Sequence, residues 1–133
     1  MSRNGLLSHI EINVSDLNAS TVFWKWMLEY FGYHQHQKWD KGISWKKNDT
    51  YIVLVQTEDD FQKAGYHRKR TGLNHLAFHA DSIMDVKLFA QELEKKNIKT
   101  LYNEHQHSTA QSEYYAVYFE DPDRIKLEYV FIA

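Results

Sequence analysis

Histidine and carboxylate side chains are the residues of this sequence best suited to chemistry. Eight histidines occur among 133 residues, and there is no cysteine. Without thiolates, a transition-metal site has to be built from imidazole and carboxylate groups. Cysteine nucleophiles and disulfides are excluded for the same reason. The composition therefore directs attention to a metal site with nitrogen and oxygen ligands.

Two of the histidines occupy equivalent positions of an internal repeat. The stretches 7–14 (LSHIEINV) and 73–80 (LNHLAFHA) each precede a short polar segment and an apolar-rich helical stretch. His9 and His75 are 66 residues apart, about half of the chain. The same offset aligns Leu7 with Leu73, Leu17 with Ile83, and Phe23 with Phe89. Equivalent strands place equivalent residues in equivalent positions, so the two histidines are predicted to have matching roles.

Apolar alternation predicts which way these side chains point. Apolar residues on alternate positions form one face of three strands: Ile10, Ile12, Val14; Leu76, Phe78, Ala80; and Ile125, Leu127, Tyr129. If those faces pack on helices, His9, His75 and Glu128 project from the opposite faces. Two imidazoles and one carboxylate from three strands form a facial ligand set that leaves metal positions open for substrate. The three residues are therefore predicted to bind the metal.

Each half of the chain has the pattern of one βαβββ module. In the first half, the N-cap candidates Ser15 and Asp16 precede a helix that ends at Gly32, and strands follow at about 33–39, 42–47 and 51–57. In the second half, a helix ends near Lys96, and strands follow at about 98–103, 114–120 and 125–132. We expect an α+β fold in one domain, 1–133, with modules at about 5–66 and 71–133. The two modules are predicted to pair into an eight-stranded half-barrel with a metal cleft.

Further candidate residues follow from strand parity. Glu11 shares the face of His9 and is the candidate general base; alternatively it is a solvated residue or a hydrogen-bond partner of His9. On this basis the candidates for substrate contacts are Asn13, His79 and Tyr118, and Gln56 is a further candidate. The free nitrogen of each ligand histidine needs a partner, which Asn74, Glu11 or the backbone could supply. Surface positions are predicted for His34, His36, His105 and His107, and the stretch 105–112 is predicted to be a mobile loop that could cover the cleft.

Charge and hydropathy limit the partners. The formal net charge is −2 without a long basic block, which argues against nucleic-acid binding. The short run 67–70 (HRKR) is predicted to be a solvated connector. No apolar run is long enough to cross a membrane, and no signal peptide is visible, so a cytoplasmic location is expected. Trp24, Trp26 and Tyr30 on the first helix predict a homodimer interface; a large one-sided core is the alternative.

Three motifs resemble those of the vicinal oxygen chelate superfamily, which includes glyoxalase I, extradiol dioxygenases and bleomycin-resistance proteins. They are Ser8-His9-Ile10 with Val14-Ser15-Asp16-Leu17, then Asn74-His75-Leu76-Ala77-Phe78, and Tyr118-Phe119-Glu120-Asp121-Pro122-Asp123 with Lys126-Leu127-Glu128. The similarity covers nearly the whole chain. It implies one divalent metal (Mn, Fe, Ni or Zn) that chelates two oxygens of a small substrate.

Departures from the family pattern narrow the activity. Glyoxalase I has a fourth ligand on the last strand of module one, but residues 51–57 contain no carboxylate, and Gln56 would be a weak ligand. Fosfomycin-resistance enzymes usually have a small hydroxyl residue where this chain has Glu11, and a carboxylate there would repel an anionic substrate. Arg124 replaces the usual glycine of the closing turn.

Two functions stay open at this point. The first is a metal-dependent lyase, isomerase, transferase or dioxygenase that acts on a small oxygen-rich molecule. The alternative is a metal-free module that binds an aromatic or cationic drug-like molecule, as bleomycin-resistance proteins do. Three potential ligands favour the enzyme, because a binding module does not require them.

Overall fold

The computed structural model describes residues 2–102, 106–108 and 113–133, with only the backbone described at 106–108 and 113. The chain is α+β and divides into two compact units, Met1–Gly65 and Tyr66–Ala133. Each unit carries one strand, one helix and then further strands in sequence order. This order confirms the two predicted βαβββ modules.

The first unit contains a four-stranded sheet and one long helix. Its elements are β1 (His9–Val14), α1 (Leu17–Tyr30), β2 (His34–Trp39), β3 (Gly42–Lys47) and β4 (Thr50–Gln56), followed by a 3₁₀ helix (Asp59–Ala64). The strand order is β1-β4-β3-β2, with β1 parallel to β4 and the other pairs antiparallel. The Asp16 carboxylate accepts the Ala19 N–H at the start of α1, as its predicted capping role requires.

The second unit repeats this topology. Its elements are β5 (Leu76–His79), α2 (Ile83–Lys95), β6 (Thr100–Leu101), β7 (Gln106–Ser108), β8 (Glu113–Glu120) and β9 (Lys126–Ile132). The order is β5-β9-β8-β6, and β7 also pairs with β8, so β6 and β7 share one edge. The predicted loop was wrong at Gln106–Ser108, where polar edge residues give no alternation signal; His105 and 109–112 lie outside the described residues.

The outer edge strand of the first unit is irregular. Between Gln35 and Lys38, β2 has one more residue than β3 has between Ile43 and Trp45. An extra residue on one strand of a pair is a β-bulge, which bends and twists the strand locally.

Each sheet packs one face on its own helix. In the first unit the buried residues include Ile12, Val14, Trp24, Met27 and Leu28, so Trp24 belongs to the core rather than to an interface. In the second unit the Phe89 ring on α2 contacts the Phe119 and Tyr129 rings at 5.3 and 5.2 Å between centroids. These contacts leave the opposite faces, as the alternation predicts, to the polar candidates. Within the described residues, none of the helices is long and apolar enough to span a bilayer.

Candidate functional site

His75 and Glu128 form the central pair of the second unit. Strands β5 and β9 are parallel neighbours, and Ala77 pairs with Glu128. The Glu128 carboxylate faces away from α2 and is only 1% exposed. Its Oε1 lies 3.1 Å from Nε2 of His75. A buried carboxylate requires a partner, and this imidazole is one.

Asn74 fixes the orientation of the His75 ring. The Asn74 side-chain oxygen lies 2.7 Å from Nδ1 of His75. An amide oxygen only accepts, so Nδ1 carries the hydrogen, and the tautomer with a single ring hydrogen has its Nε2 lone pair toward the carboxylate. Two acceptors at 3.1 Å repel each other unless a proton or a metal cation lies between them or close to both. The donor set of this pair therefore fits a divalent metal ion. Asn74 was one of the predicted partners of this ring.

Tyr114 binds the other oxygen of Glu128. The tyrosine hydroxyl donates a hydrogen bond to Oε2. Tyr114 was not among the predicted site residues, although strand parity could have identified it, because Tyr114 and Tyr118 lie four residues apart on one face of β8. Tyr118 pairs directly with Glu128. Both carboxylate oxygens thus have a partner, and the group is held in one orientation.

A lysine and two tyrosines lie on the same face, beside this pair. The Lys126 ammonium is 3.0 Å from the Tyr102 hydroxyl. It lies 4.8 and 4.9 Å from the ring centroids of Tyr102 and Tyr118. The hydrogen bond from Lys126 is the main cause that lowers the pKa of Tyr102, whereas burial raises the pKa of Tyr118. Lys126 and Tyr102 were not predicted as site residues.

His79 also belongs to this face of the second unit. It pairs with Val130 across β5 and β9, two residues beyond the pair of Ala77 and Glu128. Its side chain is exposed. His79 is therefore on the same face as Glu128, and its predicted contact with a substrate stays a prediction.

In the first unit, His9 has a different environment. The Ser8 hydroxyl lies 3.1 Å from Nδ1 of His9, and the Tyr51 ring stacks on the imidazole at 4.5 Å between centroids. Nε2 is 4.0 Å from Oε1 of Glu11, which is too long for a hydrogen bond. His36 contacts the other side of this cluster, with its ring centroid 5.2 Å from that of Tyr51. Asn13 is exposed on the same face of β1.

Gln56 lies at the beginning of α1. Its amide oxygen accepts the Leu17 N–H at 2.9 Å, and its amide nitrogen donates to the Ser15 carbonyl at 2.9 Å. Both groups hold the helix start, so we do not include Gln56 among the proposed ligands. The position that matches Glu128 in the first module is Val53, which pairs with Glu11 as Glu128 pairs with Ala77.

The family follows from a comparison of the whole chain with known proteins. Residues 6–129 match the model of the Glyoxalase/Bleomycin resistance protein/Dioxygenase superfamily. The chain belongs to this superfamily. Members of the glyoxalase superfamily often use a divalent metal, and they bind small-molecule substrates.

Individual relatives in the glyoxalase superfamily cover nearly the whole chain. YqjT, an uncharacterized protein of Bacillus subtilis, is 48% identical over 124 residues, 93% of this chain and 97% of its own. Glutathione transferase FosA of Serratia marcescens is 29% identical over 122 residues, 92% of this chain and 77% of its own. A solved glyoxalase-type structure from Bacillus halodurans is 46% identical, covers 97% of both chains and has a TM-score of 0.89.

The three predicted ligands divide between the two units of this glyoxalase-superfamily chain. His75 and Glu128 lie together in the second unit, and His9 belongs to the first. Among the residues that the structure describes, there is no cluster of three or more His, Asp or Glu side chains that could hold a metal ion. The pair of His75 and Glu128 is observed within the second unit. The addition of His9 as a third metal ligand stays a prediction.

Proposed function

We propose that the chain is a metal-dependent enzyme of the glyoxalase superfamily that acts on a small oxygen-rich substrate. Its metal ligands are His9, His75 and Glu128. The observation that carries this proposal is the pair of His75 and Glu128, in which Asn74 directs the Nε2 lone pair toward a buried carboxylate. Without a cation or a proton, that arrangement is unfavourable.

His9 is proposed as the third ligand because of its equivalence to His75. Each histidine begins or immediately precedes the first strand of its module, and in each case the side chain of the preceding residue contacts Nδ1. A partner on one ring nitrogen is the usual arrangement for a histidine that binds metal through the other. Two imidazoles and one carboxylate suit Mn, Fe, Ni or Zn.

The other candidates surround these ligands with proton-transfer and binding groups. A metal held by the three ligands would polarise a substrate oxygen and stabilise negative charge that develops on it. The Glu11 carboxylate is exposed beside His9 and is proposed to accept a proton from the substrate or from water. Asn13, His79 and Tyr118 are proposed to contact the substrate with their amide, imidazole and phenol groups. The similarity to glutathione transferase FosA supports transferase chemistry as one of the reactions to test.

Metal analysis of the purified protein tests this proposal. The wild type is incubated with Mn, Fe, Ni or Zn, and bound metal and affinity are measured. We expect about one equivalent of metal and a loss of affinity of roughly 100-fold or more in His75→Ala. His34→Ala is the matched control, because it removes an exposed imidazole from β2; its affinity should equal that of the wild type.

A wild-type protein that takes up none of the four metals would contradict the proposal. The metal-free binding function would then remain, and binding of aromatic or cationic compounds would be measured directly. The homodimer and the cytoplasmic location stay predictions; sedimentation equilibrium measures the first, with Trp26→Ala as the interface variant.

A further inference from the structure

We propose that the sheet face carrying His75 and Glu128 also contains a subsite for an anionic oxygen group of the substrate, formed by Lys126, Tyr102 and Tyr118. The inference rests on the proposed function, since it assigns a substrate class to the same site. The ligand chemistry is a small acid whose carboxylate or phosphoryl group binds at Lys126, while its other oxygens reach the metal. The repulsion expected between Glu11 and an anionic substrate concerns the first unit, and Lys126 of the second unit supplies a positive charge that opposes it.

The position of Lys126 supports the proposal. It precedes Glu128 by two residues, so both side chains leave β9 on one face, roughly 7 Å apart along the strand. The two tyrosine rings, 4.8 and 4.9 Å from Nζ, hold the ammonium by cation–π contacts. An ammonium has three donors, and in the described part of the chain the Tyr102 hydroxyl is its one hydrogen-bond acceptor. Among the described residues, nothing else accepts from this ammonium, which leaves two donors for a ligand.

The acidic residue nearest to Lys126 in the sheet is bound by other cations. Glu120 pairs with Lys126 across β8 and β9. Its carboxylate lies 2.6 Å from the guanidinium of Arg68 and 3.4 Å from that of Arg124. Glu120 therefore does not neutralise Lys126, and the positive charge of the ammonium is available to an anion.

The basic run between the modules adds positive charge to this region. Arg68 and Lys69 both contribute to the lowered pKa of Tyr102, after the larger effect of the hydrogen bond from Lys126. The segment 67–70, predicted to be a solvated connector, is anchored to the sheet by the ion pair of Arg68 with Glu120. Clustered cations beside neutral phenol donors favour oxyanions over neutral or cationic ligands.

Binding of simple anions to the metal-free protein tests the subsite. Inorganic phosphate and acetate are titrated separately, and dissociation constants are measured by NMR chemical-shift changes. We expect Lys126→Met to weaken binding of the preferred anion about fivefold or more. The matched control is Lys87→Met: Lys87 also lies over a tyrosine ring, that of Tyr115 at 5.8 Å, but on the opposite face of β8. It should bind as the wild type does.

Two further variants keep the result interpretable. Lys126→Arg retains the charge and should restore most of the affinity, and Tyr102→Phe should lower the affinity by a smaller factor than Lys126→Met does. The preferred anion distinguishes a phosphoryl group from a carboxylate. Equal binding by Lys126→Met and Lys87→Met, or no binding of either anion by the wild type, overturns the proposal.

Metal uptake separates this inference from the proposed function. Lys126→Met retains His9, His75 and Glu128, so it should take up metal as the wild type does. If the wild type binds metal but Lys126→Met leaves the anion affinity unchanged, only the proposed subsite is wrong. If the wild type binds the anion through Lys126 but takes up no metal, the metal-dependent function is wrong and the anion site stands.

Discussion

The two modules place a histidine in the same position and then surround it differently. Ser8 contacts the ring of His9, and Asn74 contacts the ring of His75, each at Nδ1. On the neighbouring parallel strand, module one has Tyr51 and Val53 where module two has Lys126 and Glu128. The two modules share the backbone register. Module one has an aromatic and an apolar side chain at these two positions, whereas module two has a cation and a carboxylate.

This difference shows that a repeated fold can carry different side chains at equivalent positions. The strand pairing fixes where side chains emerge, whereas their chemistry decides what each module contributes. Module one offers an imidazole packed against a tyrosine ring, at 4.5 Å between centroids. Module two offers an imidazole, a buried carboxylate and an ammonium on one face. The similar folds of the two modules therefore do not imply that the modules have the same function.

The comparison is tested most severely by Val53→Glu, which gives module one the carboxylate of module two. Val53 is 1% exposed and pairs with Glu11, so a carboxylate there is buried beside a like charge. Without metal, we expect the free energy of unfolding to fall by about 3 kcal/mol or more. With zinc, part of the loss should be recovered, because His9 lies on the same face.

Urea unfolding with a chelator and with zinc measures both effects. Val53→Gln is the control, since it has a similar polar shape without the charge and should gain no stability from zinc. If zinc changes the free energy of unfolding of the glutamate and glutamine variants equally, a carboxylate at position 53 does not bind metal as Glu128 is proposed to do.

The residues that contact Nδ1 provide the next test. Asn74→Ala should weaken metal binding about tenfold or more, because the amide oxygen fixes the tautomer of His75. Ser8→Ala should have a smaller effect, because a hydroxyl both donates and accepts and therefore selects no tautomer. Zinc titrations of the two variants give the ratio of their affinities. A larger loss of affinity in Ser8→Ala would contradict the expectation that the contact to His75 matters more for metal binding than the contact to His9.

Removing the Tyr114 hydroxyl should have a more modest effect. Tyr114→Phe deletes the hydrogen bond to Oε2 of Glu128, and we expect metal affinity to fall by roughly fivefold. Tyr115→Phe is a matched control on the opposite face of the same strand. Equal metal affinities in the two variants would exclude a positioning role for Tyr114.

The smallest effect concerns the turns that precede the last strand of each module. Arg124 has a φ of 65° and Asn48 a φ of 54°, both in the left-handed region, which asparagine tolerates better than arginine does. Arg124→Gly should therefore raise stability by about 0.5 kcal/mol, and Asn48→Gly should change it less. Thermal unfolding of both variants checks this; a lower melting temperature for Arg124→Gly would show that its ion pair with Glu120 outweighs the strain.

Most of the fold could be predicted from the sequence because its signals are local. Alternation identified β1 and the faces of β5 and β9, and the capping residue Asp16 identified the start of α1. The edge strand β7 was not predicted, because its residues show no apolar alternation and its pairing partner lies on β8. Edge strands gain their stability from such nonlocal hydrogen bonds.

Part of the site was predictable from strand parity and the repeat. Both signals identified His75 and parity identified Glu128, and the structure brings these two side chains within 3.1 Å. Parity alone would have added Lys126 and Tyr114. The part played by Arg68, and the capping of α1 by Gln56, depend on contacts between residues 39 or more positions apart, for which one sequence carries no signal.

The irregular outer strand of the first unit has a consequence for how the protein behaves at high concentration. A straight strand at the border of a sheet exposes a row of free N–H and C=O groups onto which another chain can add. The bulge at Gln35–Lys38 interrupts that row. Polymerisation through this border is disfavoured, so a variant in which the bulge is shortened by one residue should aggregate more readily.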